Sequence, residues 1–168
     1  MKPRARMLAE IGIVAAVYAV LTWVLAPISY GPLQLRVAEI LKSLVIWEPH
    51  LIAAFVIGNF LSNLTSPFAG PWELIFMPFA NLAGATLCYV IGRRQVYSGA
   101  AAYALVIGAA VSVVLSVVLQ VRFGILFPGL LASEAILIIG GVPIMRALLR
   151  TLEPLRRRWL SPGRQGSG

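Results

Sequence analysis

Hydrophobic positions in this chain come in long, nearly unbroken stretches, and the breaks between them carry proline, glycine and charge. Those breaks predict helices over residues 7–26, 37–47, 50–65, 72–92, 99–121 and 130–150. A bilayer core of about 30 Å is crossed by about 20 apolar residues, so the chain has room for roughly six spans with short connections. The second and third stretches are short for that thickness and meet at the tight turn Trp47-Glu48-Pro49-His50. They form a shallow hairpin, or neighbouring helices cover their ends. The expected fold is an all-α integral membrane protein of six transmembrane helices within residues 1–150. A basic, disordered tail is expected over 151–168, where Pro162, Gly163, Gly166 and Gly168 gather.

Composition turns that pattern into a membrane setting. Hydrophobic residues make up 60% of the 168 positions and charged residues 12%, and the mean hydropathy is +0.88. A soluble chain has about 45–50% apolar and about 25% charged residues; this excess would leave wide apolar patches in water. No length remains for a soluble catalytic domain. The apolar run from Ile11 to Ala26 is too long for a cleaved signal core. Cys88, the one cysteine, sits in an apolar stretch and reads as packing. His50, the one histidine, lies at a turn with no cysteine or aspartate nearby, so neither a metal nor a cofactor is implied.

Charge then orients the bundle. Lys2, Arg4 and Arg6 precede the first span, Arg93 and Arg94 follow the fourth, and Arg150, Arg156, Arg157, Arg158 and Arg164 follow the sixth. With six spans all three groups fall on one side, which the positive-inside rule assigns to the cytoplasm together with both termini. Arg36 and Arg122 are left near the outer face. The net charge of +8 suits lipid headgroups rather than nucleic acid, because no stacking platform or nucleic-acid motif accompanies it.

Polar residues inside the spans converge on one level in that topology. Arg36 and Glu39 lie three apart at the outer start of the second helix, and Asn59 and Asn63 lie four apart in the outer half of the third. Asn81 falls near mid-depth on the fourth, Ser112, Ser116 and Gln120 form a stripe on the fifth, and Ser133 and Glu134 occupy the outer half of the sixth. Trp72 and Glu73 mark the rim of the fourth, where aromatic anchors are ordinary. Serines and amides often bond helices together at about 0.6 kcal/mol apiece. Charges are another matter: one at the bilayer centre costs about 2.5–3.5 kcal/mol on insertion scales, so Glu39 and Glu134 mark a candidate site. An outward-opening pocket for a planar heterocycle with donors and acceptors accounts for the set.

The run Ala26-Pro27-Ile28-Ser29-Tyr30-Gly31-Pro32-Leu33-Gln34-Leu35-Arg36-Val37-Ala38-Glu39 resembles the signature of the QueT family, proposed queuosine-precursor transporters. Ile57-Gly58-Asn59-Phe60-Leu61-Ser62-Asn63-Leu64 is similar to a second family segment, and Ser133-Glu134 through Gly141-Val142-Pro143-Ile144 to a third. Ala38, Ser62 and Ser133 depart from the family's usual serine, alanine and glycine. The resemblance covers residues 8 to 150. It implies the substrate-binding S component of an energy-coupling factor (ECF) transporter, a six-helix membrane protein that captures a 7-deazaguanine from outside. It implies Gln34, Arg36, Glu39, Asn63 and Glu134 as substrate-binding residues; Asn59 joins them on depth alone. The loop 27–36 would act as a lid, and Arg36 would orient Glu39 as its ion-pair partner.

Such a component hydrolyses no ATP, in keeping with the absence of a G-x-x-x-x-G-K-S/T loop and of any aspartate. The resemblance therefore implies partners: a membrane coupling subunit and two ATPases. Gly12 and Ala16, with Ala15 or Ala19, supply small residues on the first helix for docking, although an alanine-rich span has such spacings by composition alone. Other classes fit the same residues. A stand-alone transporter would need no ATPase, and a structural or regulatory subunit would use the polar groups as interhelical glue and bind nothing. A membrane-embedded enzyme would need a nucleophile and base beyond the carboxylate pair.

Overall fold

The computed structural model describes residues 3–160, with the side chains of residues 3 and 155–160 left aside. Its order is α1 (Pro3–Val24), the short α2 (Ala26–Ser29), a ten-residue 310 helix (Val37–Ile46), a 310 turn (Pro49–Leu51) that runs into α3 (Ile52–Asn63), a π-helical turn (Trp72–Phe76) that runs into α4 (Met77–Gly92), then α5 (Val96–Leu119) and α6 (Phe123–Leu160). No strand occurs among the described residues.

Among the described residues, four helical stretches are long and apolar enough to cross a membrane: Arg4–Val24, Trp72–Gly92, Val96–Leu119 and Phe123–Pro154. The expected second and third spans are present as helices but fall short. Ten 310 residues rise about 20 Å, and an α-helix the length of α3 rises still less, against a hydrocarbon core of about 30 Å. α6 is longer than expected. It starts at Phe123 and continues through Leu160, past residue 150 where the tail was expected to begin. It holds Pro128, Pro143 and Pro154 inside it, because neighbouring helices can re-satisfy the backbone groups that proline frees. Residues 161–168 lie outside the described residues.

The α-helices follow one another in an open arc, and the 310 helix lies between its two ends. α1 packs on α3, α3 on α4, α4 on α5 and α5 on α6, while the 310 helix touches α6, α1, α4 and α5. Glycine lets α6 come close enough: a Cβ on Gly141 would sit 3.0 Å from the Ile40 Cα. Sidedness is reversed relative to a soluble protein. Val24, Phe79, Ile125 and Ile136 are about two-thirds exposed or more, whereas Lys42, Asn63 and Asn81 are sealed. Apolar outside and polar inside is the partition lipid imposes, since buried polar groups can be satisfied only by one another.

A sealed charge cluster on the 310 helix

Three residues per 310 turn place every third side chain on one line. Arg36, Glu39 and Lys42 therefore form a charged row along the central helix, each 3% exposed or less.

Arg36, the residue that caps this helix, is fixed by four groups. Its Nη1 donates to Asn63 Oδ1 at 2.9 Å and its Nη2 to Gln34 Oε1 at 3.1 Å. Nη2 also faces Glu73 Oε1 at 3.6 Å, and the guanidinium lies 5.1 Å from the Tyr30 ring centroid. Asn63 Nδ2 donates to the Glu73 carbonyl at 3.1 Å and is 3.4 Å from Asn59 Oδ1. Gln34 reaches this position through a left-handed backbone, φ 49°, an uncommon conformation that the surrounding contacts must hold. The Tyr30 hydroxyl closes the loop onto α3 by donating to the Ser62 carbonyl at 2.6 Å. Loop 30–36 is thus folded down over the cluster.

Glu39 is held from two sides. The Tyr18 hydroxyl donates to its Oε1 at 2.5 Å, and Lys42 Nζ pairs with its Oε2. The Lys42 ammonium lies between two rings, 5.0 Å from the Tyr103 centroid and 5.8 Å from that of Tyr18. Tyr103 donates in turn to Asn81 Oδ1 at 3.1 Å. Glu134 of α6 completes the cluster, with Glu39, Lys42 and Arg36 as its charged neighbours.

All six expected binding residues, Gln34, Arg36, Glu39, Asn59, Asn63 and Glu134, come together and are 3% exposed or less. Two expectations need correction. Arg36 makes its ion pair with Glu73, not Glu39, because Lys42 already holds Glu39 from one 310 turn away. Glu73 is accordingly no rim residue but a buried one. Lys42, Tyr18 and Tyr103 went unread. The i, i+3 spacing of Glu39 and Lys42 was the available signal. The α5 stripe contributes nothing direct: Ser112 donates to its own helix at Gly108 (2.6 Å), and exposed Gln120 bonds Val117 (2.6 Å). Ser133 likewise turns back to Leu130.

The cluster is closed, while recesses of 670 and 260 Å³ open at the end that carries the N-terminus, lined in part by Arg93 and Arg94 and by His50 and Leu149 respectively. There His50 Nε2 meets Glu10 at 2.8 Å, and Arg6 meets Glu10 at the same distance. Gly12 and Ala16 lie on the outer face of α1, and a Cβ on Gly12 would touch nothing. Ala15 and Ala19 instead face inward, each 2% exposed.

A lipid-facing helical bundle that encloses titratable side chains is a multi-pass membrane protein with a polar interior site. The family model described as QueT transporter matches residues 8–150, and the chain belongs to that family. Over 67 residues it is 40% identical to the queuosine precursor transporter QueT of Lactococcus lactis subsp. cremoris (strain MG1363). That match takes in 39% of this chain and 40% of the relative's length. No solved structure matches the chain.

Proposed function

We propose that this chain captures a queuosine precursor or a related 7-deazaguanine from outside the cell and serves as the substrate-binding component of an ATP-driven importer of the ECF type. The observation that carries the reading is a set of unsatisfied polar atoms in the sealed cluster, which includes Arg36 Nε and Glu73 Oε2 and, facing the proposed ligand, two more. Glu134 Oε2 and Asn59 Nδ2 are buried and have no hydrogen-bond partner. Stranded buried polar atoms cost about 1–3 kcal/mol each, so a cluster that served only to join helices would be expected to satisfy them. A deazaguanine supplies what they lack. Its N–H and exocyclic amine present two parallel donors to a carboxylate, and its carbonyl accepts from an amide.

In this reading the ligand enters from the end that bears loop 30–36, which faces outward, and both termini lie in the cytoplasm with the basic clusters. Tyr30 and Gln34 form the lid, and Arg36 holds it shut through Asn63 and Glu73. Gly12 and Ala16 meet a membrane coupling subunit at close helix approach. Two cytoplasmic ATPases supply the energy, as the chain carries no phosphate-binding loop of its own.

Uptake of a radiolabelled precursor by cells expressing the chain alone, and with a coupling subunit and ATPases, tests this arrangement. Uptake is expected only with the full set. Full uptake by the chain alone would overturn the ECF assignment in favour of a stand-alone transporter.

A further inference from the structure

Two aromatic rings and a carboxylate around an ammonium make a receptor for alkylammonium ions, the setting in which cation–π attraction is used for ligand recognition. Here the ammonium belongs to the chain: Lys42 Nζ pairs with Glu39 between Tyr103 and Tyr18, at 5.0 and 5.8 Å from their centroids. As a purely structural device the arrangement is poor, since a buried ion pair is often no more stabilising than apolar residues of the same volume. Nor are all its acids paired. Glu39 has Lys42 and Glu73 has Arg36, whereas Glu134, beside Glu39, makes no ion pair and has Oε2 unbonded.

We infer that the Tyr18–Tyr103–Glu39 box is a binding site for an alkylammonium group, which Lys42 fills in this structure and vacates toward Glu134 when a ligand ammonium arrives. Lys42 can make the move because its stem is four flexible methylenes, and its ammonium donates in any direction. Arg36 cannot, being fixed by Asn63, Gln34, Glu73 and Tyr30. The inference rests on the proposed nucleobase site only for the rest of the ligand; the box itself is defined by the chain alone.

Two measurements separate these parts. In the purified Lys42→Ala variant the box is empty, and n-butylammonium, which replaces the lost stem and ammonium, is expected to raise its thermal midpoint. It should leave wild type and the Lys42→Ala/Glu39→Gln double variant unmoved. A folded Lys42→Ala variant that ignores n-butylammonium would overturn the inference whatever the protein transports. The second measurement compares the dissociation constants of 7-aminomethyl-7-deazaguanine, a cation, and 7-cyano-7-deazaguanine, which is neutral, for wild type and Lys42→Met. Removing the tethered competitor is expected to tighten the amine by about tenfold and to change the nitrile by less than about threefold. Equal weakening of both in Lys42→Met would overturn the inference, and this comparison stands even where the alanine variant does not fold. Stabilisation by n-butylammonium without binding of either deazaguanine would uphold the box and defeat the proposed substrate class.

Discussion

Lys42 holds Glu39 from one 310 turn away, with both side chains sealed from solvent at 0% and 2% exposure. The pair ties the conformation of the central helix to the charge state of the site, because only a threefold repeat also keeps Arg36 on the same line. Replacing one partner strands the other. Glu39→Gln is expected to lower stability by about 3–5 kcal/mol, the usual cost of an uncompensated buried charge, and to abolish ligand binding. The double variant Glu39→Leu/Lys42→Met should recover much of that stability while still binding nothing. Unfolding of the purified proteins in detergent checks both; a double variant less stable than Glu39→Gln would contradict the pairing.

Arg36 differs from Lys42 in being geometrically fixed. Its guanidinium serves Asn63, Gln34 and Glu73 together and stacks on Tyr30, a pattern a lysine ammonium cannot reproduce. Arg36→Lys should therefore loosen loop 30–36 while leaving the long helices intact. Amide hydrogen exchange reads this directly: protection is expected to fall at residues 30–36 and to hold in α4 and α5. Unchanged protection in the loop would remove Arg36 from the role of latch.

Backbone contact between α6 and the 310 helix makes Gly141 sensitive to a single methyl group. A Cβ there would press on the Ile40 backbone, at 3.0 Å from its Cα. Gly141→Ala is expected to destabilise the bundle by about 1–3 kcal/mol through overpacking. The thermal midpoint should drop, and binding should fall only with the folded fraction.

Gly12 stands in contrast. Nothing lies near the position a Cβ would take, so Gly12→Leu should leave the midpoint and ligand affinity of the isolated chain unchanged. It should reduce copurification with the coupling subunit, because a large side chain prevents close helix approach. Loss of ligand affinity in Gly12→Leu would place this face in the site rather than at an interface.

Much of this architecture could be read from the chain. Long apolar runs identified the membrane bundle, and Arg36, Glu39, Asn59, Asn63 and Glu134 stood out because polar groups are costly in lipid, whereas Gln34 came from the family resemblance. The partnerships did not follow. On an α-helix Arg36 and Lys42 would point about 120° apart, so only the 310 register reveals that one row contains Arg36, Glu39 and Lys42. Glu73 looked like a rim residue because it follows Trp72; the π-helical turn Trp72–Phe76 carries it inward to Arg36. Tyr18 and Tyr103 carry no sequence mark that separates them from ordinary core aromatics, and their hydroxyl partners lie 21 and 22 residues away.

The central claim is ligand capture by the sealed cluster, and equilibrium binding tests it most directly. 7-Aminomethyl-7-deazaguanine, 7-cyano-7-deazaguanine and guanine would be titrated into the purified chain in detergent, with Glu134→Gln alongside. Saturable binding of a deazaguanine is expected, weakened in the variant by about 10- to 100-fold, the worth of a hydrogen bond to a charged group. Absence of binding by well-folded wild type, or affinity indifferent to Glu134→Gln, would contradict the account and leave the buried charges as a structural device.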